Sequence, residues 1–259
     1  MLSHEERVTL VLSGQPVTQE TDYYDAVVSA LTSRRRMLDT ALAQFTTRAG
    51  GLTEVAARLV ETLRAGHKVL VAGNGGSAAE AQHFAAELVG RFKRERAPYA
   101  VLSLTTDTSI LTAVANDYGY QNVFARQILA FGRSGDMLIA FSTSGESENL
   151  VCAAEVAQRN NITVIAVTGD RPSRLECLAH VTVRVPTVDT AITQELHMIV
   201  THILCDIVES ELAAQCVGAS AERSGAQNQR SEAERISILP SCPSPIDRPA
   251  AQGEGDEDK

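Results

Sequence analysis

Apolar residues along this chain recur first at helical spacing and then in short uninterrupted runs. From residue 21 to about 47, apolar residues occur every three or four positions, and they have the same spacing in a second stretch over 52–65. This period predicts two helices ahead of any strand. Five short apolar runs follow, at 68–72, 99–104, 136–141, 162–167 and 181–185. Such runs, without a period of two, are typical of parallel strands buried on both faces.

Helical segments separate these runs and follow the last of them. They are predicted at 78–91, 109–115, 123–131, 147–158 and 174–178, and a long helix runs from 190 to about 214. The pattern predicts one doubly wound α/β domain over 21–216, with a five-stranded parallel sheet and an N-terminal helical arm. Residues 1–20 are expected to form an N-terminal extension. Residues 217–259 are rich in Ser, Gln, Glu, Arg and Pro, which predicts a disordered acidic tail.

Composition narrows the possible functions. The 259-residue chain has a formal net charge of −9 and no Trp, which disfavours a general nucleic-acid binder. Its five cysteines are scattered without a CxxC pair, so neither a disulfide framework nor a thiolate zinc site is predicted. The N-terminus carries acids where a signal peptide needs basic residues, and no apolar run approaches the length of a membrane span. We therefore expect a cytoplasmic protein with no membrane partner.

Two loops carry the candidate chemistry, because ligands of an open parallel sheet bind beyond the carboxyl ends of its strands. The sequence Gly-Asn-Gly-Gly-Ser at 73–77 leads from the first strand into a helix. Its glycines allow a ligand to approach the backbone and the helix N-terminus, although the same residues also make an ordinary tight corner. The segment 142–147, Ser-Thr-Ser-Gly-Glu-Ser, follows the third strand with four hydroxyls. Helix capping needs one hydroxyl, whereas four make an uncharged phosphate cradle.

These loops resemble those of the sugar isomerase (SIS) family of phosphosugar-binding domains. Three longer motifs narrow the resemblance to the phosphoheptose isomerases: QHFAAEL at 82–88, ANDYG at 115–119 and QELH at 194–197. The likeness covers about residues 22–212. It implies a flavodoxin-like sheet and a ketose–aldose isomerisation of sedoheptulose 7-phosphate to D-glycero-D-manno-heptose 7-phosphate, the first step of ADP- or GDP-heptose biosynthesis.

Helical geometry is compatible with this resemblance. His83 and Glu87 are four residues apart, hence about 40° apart on one helix and one turn along it. Gln194 and His202 are eight apart, about 80° around and two turns along a second helix. His197 points about 140° away from His202 and is predicted to be a packed, hydrogen-bonded histidine.

The resemblance also implies the roles of these residues. Glu87 would be the base that moves a proton between C1 and C2 of an enediol, and His202 the acid that serves the oxygens. In close relatives of the family the same region binds zinc, one ion per subunit, through the matching residues His83, Glu87, Gln194 and His202. Imidazole and carboxylate suit zinc, whereas a carboxamide is a less usual ligand.

Substrate contacts follow from the same resemblance. Asn74, Gly75, Gly76 and Ser77 with Asn116 and Asp117 would bind the sugar, Ser142, Thr143, Ser144 and Ser147 the phosphate, and Glu87 and Gln194 the reacting end. Arg91, one turn beyond Glu87, could reach the substrate or lie on the surface. The resemblance further implies a homotetramer whose first helices pack together and whose sites form where subunits meet.

Two departures from the family pattern affect the substrate contacts. Ile192 and Thr193 stand where Arg-Ile commonly precedes the QELH motif, and Glu146 replaces the usual Asn of the hydroxyl loop. A carboxylate beside a phosphate would weaken binding unless it points away.

An alternative function is a non-catalytic tetramer that acts as an adaptor for the bacterial replication initiator, but that branch of the family lacks the carboxylate and the distal histidine. A sensor fused to a DNA-binding module would need more than the first twenty residues ahead of the sheet.

Overall fold

The short apolar runs form the predicted parallel sheet. A computed structural model describes residues 20–223, with side-chain environments for 23–213. The strands are β1 (Val69–Gly73), β2 (Val101–Ser103), β3 (Met137–Ser142), β4 (Thr163–Thr168) and β5 (Val181–Arg184). All neighbouring strands are parallel, in the order β2-β1-β3-β4-β5. This order confirms the doubly wound α/β fold class.

The strand residues are apolar on both faces because helices cover both. Every residue of β1 and β3 is buried. Odd and even positions of these strands enter two separate cores: Val69 and Val71 pack on one side of the sheet, and Leu70 and Ala72 on the other. Two buried faces therefore explain why the sequence lacks an alternating pattern in its strands.

The helices occupy the predicted intervals between strands. They are α1 (Glu20–Thr47), α2 (Gly50–Arg64), α3 (Gly76–Val89), α4 (Thr108–Tyr118), α5 (Ala125–Phe131), α6 (Glu148–Arg159), α7 (Arg174–Leu178) and α8 (Thr190–Arg223), with a 3-10 turn at Tyr120–Asn122. Helix α8 extends past the predicted end near residue 214. One compact unit ends at Gln215. The predicted N-terminal extension and the rest of the predicted tail lie outside the described residues.

Helix α8 is the one stretch of the described chain that is long and apolar enough to cross a membrane, over Thr190–Ala213. Its apolar character has another explanation in the fold. Residues at helical spacing, Leu196, Val200, Leu204 and Val208, are buried in the core against the sheet. The helix therefore has the composition of a core helix.

The strand order reverses at β1, which pairs with β2 on one side and with β3 on the other. Loops that leave the carboxyl ends of β1 and β3 diverge at such a point and open a crevice for ligands. Both loops that the sequence analysis singled out, 73–77 and 142–147, leave these two strands. The topology therefore places them on either side of the same crevice.

Candidate functional site

Three ionisable side chains from two helices meet at one place. His83 and Glu87 lie one turn apart on α3, and His202 lies on α8. The Nε2 atoms of His83 and His202 are 2.9 Å apart, and His83 Nε2 lies 3.3 Å from Glu87 Oε1. One ligand atom from each residue falls within 4.8 Å of the others. The structure thus brings the imidazole of His202 to a carboxylate and an imidazole that precede it by more than 100 positions.

This triad of His83, Glu87 and His202 has two chemical uses. A carboxylate and an imidazole can act as a base and an acid on one substrate. Two imidazole nitrogens and a carboxylate oxygen are also ligands that divalent zinc prefers, and a tetrahedral site would leave one position for another group. None of the three side chains is fully buried, so both a substrate and an ion can reach them.

Gln194 lies on α8, two turns before His202, and its side chain covers the loop after β1. A Cβ atom added to Gly76 would come within 2.2 Å of Gln194 Nε2. A side chain at Gly76 would therefore displace the Gln194 carboxamide from this place. Gln194 therefore connects the helix that carries His202 with the glycine-rich loop.

His197 faces the core, as its position on the helical wheel predicted. The residue is fully buried, and its Nδ1 lies 3.4 Å from Oε2 of Glu80 on α3. Its ring also packs at a tilt against Phe141 of β3, with centroids 5.8 Å apart. His197 thus links α8 to α3 inside the core and does not belong to the triad.

The loop after β1 is fixed by a pair of amides. Asn74 and Asn149 exchange two hydrogen bonds, each with its Nδ2 donating to the other's Oδ1 at 2.9 Å. The hydroxyl of Tyr120 donates to Asn74 Oδ1 at 3.1 Å. Gly75 has a φ of 56°, which is a backbone conformation that favours glycine. These hydrogen bonds fix the position of the Asn74 side chain in the loop that precedes α3.

A cleft of about 640 Å³ lies between the two loops. It is lined by Asn74, Tyr120, Gln121, Ser147, Glu148 and Asn149. Its volume lies in the range of small-molecule sites, and amide, hydroxyl and carboxylate groups are among its lining side chains. None of the three triad residues belongs to this lining, so the cleft and the acid–base centre are separate features of the single chain.

The hydroxyl loop after β3 is organised around its own backbone. Ser142 Oγ accepts the N–H of Gly145 at 3.0 Å, and Ser144 Oγ accepts the N–H of Glu146 at 3.2 Å. Each oxygen thus serves as an acceptor, which leaves its O–H to donate to an anion. Ser147 occupies the N-cap position of α6, but its side chain makes no capping bond. A free hydroxyl at a helix N-terminus is suited to bind an anion.

Glu146 turns away from this loop. Its Oε1 accepts the backbone N–H of Arg174 at 2.8 Å, at the start of α7. The next acidic residue, Glu148, pairs with the Arg174 guanidinium at 2.6 Å, and this ion pair holds the pKa of the Glu148 carboxyl below its usual value. Both carboxylates are therefore matched with donors on α7.

The remaining predicted site residues lie around these features. Ser77 is buried in the first turn of α3, and Thr143 is half-buried in the hydroxyl loop. Asn116 and Asp117 are exposed at the end of α4, where Asn116 Nδ2 donates to Asp117 Oδ1 at 2.8 Å. The Arg91 side chain is 63% exposed and lies 3.7 Å from Glu95. In a single chain Arg91 is thus a surface residue.

The nearby thiol of Cys205 takes no part in this chemistry. Burial raises its pKa to about 12, and the charges of Glu87 and Glu209 act in the same direction. The thiol stays protonated at neutral pH and is a poor nucleophile and metal ligand. Cys205 is a free, buried thiol that packs in the core.

Sequence reasoning missed three residues that the structure brings to the site. Asn149 lies two residues beyond the hydroxyl loop, and Tyr120 directly follows the ANDYG motif, so extending each motif by two positions would have found them. Phe92 stacks on His202 with ring centroids 5.4 Å apart and an angle of 15° between the planes. Its place after the end of α3 gave no sequence signal for this contact.

Comparison with known proteins finds phosphoheptose isomerases both by sequence and by structure. Residues 35–169 match the SIS domain family. The phosphoheptose isomerase of Akkermansia muciniphila is 48% identical over 164 residues, which are 63% of this chain and 87% of that protein. The phosphoheptose isomerase of a Roseiflexus species is 45% identical over 188 residues, or 73% of this chain and 92% of the relative.

Two solved structures extend the similarity to the fold. A phosphoheptose isomerase from Francisella tularensis superposes with a TM-score of 0.68 at 35% identity, and covers 71% of this chain and 98% of its own. The phosphoheptose isomerase from Neisseria gonorrhoeae gives a TM-score of 0.66 at 36% identity, with 73% and 99% covered. Nearly the whole of each of these enzymes has a counterpart in this chain.

Proposed function

Because this chain belongs to the phosphoheptose isomerase family of SIS-domain proteins, we propose that it converts sedoheptulose 7-phosphate to D-glycero-D-manno-heptose 7-phosphate. It is an aldose–ketose isomerase, and its homologues act on a phosphosugar. The observation that carries the finer proposal is the close approach of Glu87 and His202 from two helices beside the crevice at β1 and β3.

The reaction needs one base and one acid on neighbouring atoms. Glu87 removes a proton from C1 of the ketose and returns it to C2, so that an enediol forms and collapses to the aldose. His202 donates a proton to the oxygen on C2 and takes one from the oxygen on C1. No atom is gained or lost, and both groups end in their starting protonation states. The separation of these side chains suits two adjacent carbons of one substrate.

The two loops supply the rest of the substrate site in this proposal. Ser142, Thr143, Ser144 and Ser147 bind the phosphate, and Asn74, Gly75, Gly76 and Ser77 with Asn116 and Asp117 bind the sugar hydroxyls. The free Ser147 hydroxyl and the N-terminus of α6 support the phosphate assignment. Gln194 binds the reacting end from its position above Gly76. Arg91 is assigned to the substrate although it is a surface residue in the single chain.

We also propose that the triad, with Gln194 as a fourth ligand, holds one zinc ion per subunit. The donor set supports this assignment, since two imidazoles and a carboxylate converge with ligand atoms within 4.8 Å. When bound, zinc would supply a positive charge that polarises the oxygens of the substrate.

A homotetramer with sites at subunit interfaces completes the proposal. Helix α1 exposes an apolar stripe in the single chain, formed by Tyr23, Tyr24, Val27, Val28 and Leu31. A stripe of this kind is typical of a helix that packs against a partner. In the single chain the triad does not line the cleft, which supports a site completed by a neighbouring subunit.

The proposal includes a cytoplasmic location and a role at the first step of ADP- or GDP-heptose biosynthesis. The adaptor function finds no support in the comparisons, because the relatives reported above are named isomerases. The adaptor branch also lacks the carboxylate and the distal histidine, whereas Glu87 and His202 are both present and adjacent here.

Turnover in deuterated buffer tests the proposal directly. Incubation with sedoheptulose 7-phosphate, with and without added zinc, is expected to give the aldose with solvent deuterium at C2, followed by NMR. Unphosphorylated sedoheptulose is the matched control and should react far more slowly, since it lacks the group that the hydroxyl loop binds. Neither turnover nor exchange from folded protein under any metal condition would overturn the isomerase assignment.

Glu146→Asn is expected to change the KM for the phosphosugar by less than about threefold. The carboxylate is held at the N-terminus of α7 by the Arg174 N–H, and exposed charges interact weakly in water. Ser147→Ala is the comparison variant and should raise KM by about tenfold, because it removes a hydrogen bond to a charged group. Steady-state kinetics distinguish the two. A large fall in KM for Glu146→Asn would mean that its charge does face the phosphate.

A further inference from the structure

One buried carboxylate organises the segment that follows α3. Glu209 of α8 is fully buried, and the backbone N–H groups of Phe92, Lys93 and Arg94 donate to its two oxygens at 2.7, 2.8 and 3.0 Å. Arg96 Nε donates to Glu209 Oε1 at 3.1 Å. Residues 90–98 form no helix or strand, so these bonds replace the regular backbone pairing that the segment lacks.

The charge of Glu209 is maintained by these donors. Burial acts to raise its pKa, but the three backbone N–H groups and Arg96 outweigh burial and lower the pKa below its usual value. The carboxylate is therefore ionised at neutral pH. An ionised acceptor with four donors is a strong and directional anchor.

The anchored segment contacts the residues proposed as acid and base from two sides. The ring of Phe92 lies parallel to the imidazole of His202. Arg96 donates from Nη2 to the main-chain carbonyl of Glu87 at 2.9 Å and from Nη1 to that of Gly90 at 2.9 Å. Its side chain is 4% exposed, and its guanidinium lies 4.2 Å from the centre of the Tyr99 ring. The last turn of α3 is thus tied to the same anchor.

We propose that Phe92 and Glu209 are positioning residues of the isomerase site. Glu209 fixes segment 90–98 so that the Phe92 ring holds the imidazole of His202 in one orientation, while Arg96 holds the end of α3 that carries Glu87. This inference rests on the proposed function. The terminal torsion of a histidine is broad and needs a neighbour to restrict it, and acid–base catalysis depends on the geometry of the proton transfer.

Phe92 variants separate positioning from stability. Phe92→Leu is expected to lower kcat by roughly 10- to 100-fold with little change in KM, because the phosphate and sugar contacts remain. Phe92→Tyr keeps the stacked ring and should return kcat to within about threefold of the parent. A residue that only stabilised the fold would change the melting temperature or the folded fraction, and leave kcat per folded enzyme unchanged.

Glu209→Gln tests the anchor, and Asp206→Asn is its matched control. Both substitutions replace a carboxylate of α8 by an amide opposite the same segment. Asp206 binds only the exposed side chains of Lys93 and Arg94, whereas Glu209 binds backbone N–H groups. Glu209→Gln should reproduce the kcat loss of Phe92→Leu, and Asp206→Asn should stay within about twofold of the parent.

A spectroscopic readout removes the dependence on turnover. The ring protons of His202, assigned by their loss in His202→Gln, should carry a ring-current shift from Phe92 that disappears in Phe92→Leu and persists in Phe92→Tyr. The positioning role alone would be overturned if the His202 ring protons of an active parent had the same chemical shift as those of Phe92→Leu. It would also be overturned if folded Phe92→Leu had the parental kcat. A folded parent that fails to isomerise the sugar phosphate would overturn the proposed function and the positioning role with it.

Discussion

Glu87→Gln is expected to lower turnover by a factor of about 10² to 10⁴, the usual contribution of a positioned base. The substitution keeps the volume and shape of the side chain and removes only its basicity. The fold should be unaffected, because the Glu87 side chain is partly exposed, and its main-chain carbonyl keeps the bond from Arg96. The measurement is aldose formation and deuterium exchange with sedoheptulose 7-phosphate, together with the mass of the assembly by light scattering.

Glu54→Gln provides the control for a lost carboxylate. Glu54 pairs with Arg58 on the surface of α2, and both side chains are well exposed, so its removal should change neither rate nor assembly. Turnover of Glu87→Gln at the parental rate would show that the base lies elsewhere. A variant that lost both turnover and its oligomeric state would instead indicate a structural role for this side chain.

The fold was accessible from the sequence because its signals are local. The apolar runs of β3 and β4 predict the strands to within one residue at each end, and the same holds at the start of β1. Strand β2 is shorter than its run, since only Val101 to Ser103 are paired in register with β1. Helix α8 continues past its predicted end because no glycine or proline interrupts its first 28 residues.

The site was only partly accessible because its contacts are long-range. A spacing of four predicts that His83 and Glu87 share a helix face, but nothing in the spacing places His202 beside them across 119 positions. That approach entered the sequence analysis through the family resemblance. Glu209 had no motif to mark it, since its partners are backbone N–H groups of a segment without regular structure. A contact of this kind depends on the path of the backbone in segment 90–98 and not on the side chains of that segment.

His83→Ala is expected to weaken zinc binding by at least about 100-fold. Loss of a residue that merely supports a ligand costs zinc proteins about 10- to 100-fold in affinity, and His83 would be a direct ligand. Its Nε2 atom is also the atom of the triad that lies within 3.3 Å of both other members. Titration of metal-free protein with zinc, in competition with a chromophoric chelator, gives the affinity and the stoichiometry, expected to be one ion per chain.

Two further variants determine whether the effect is specific to this site. His67→Ala removes a half-exposed imidazole that lies beside Asp136, outside the triad, and should leave zinc affinity unchanged. Gln194→Ala should weaken binding less than His83→Ala, because a neutral carboxamide is a poorer zinc ligand than an imidazole. Equal affinity for the parent and His83→Ala would mean that any bound zinc lies elsewhere, and His83 would then serve the acid–base pair through its contact with His202 alone.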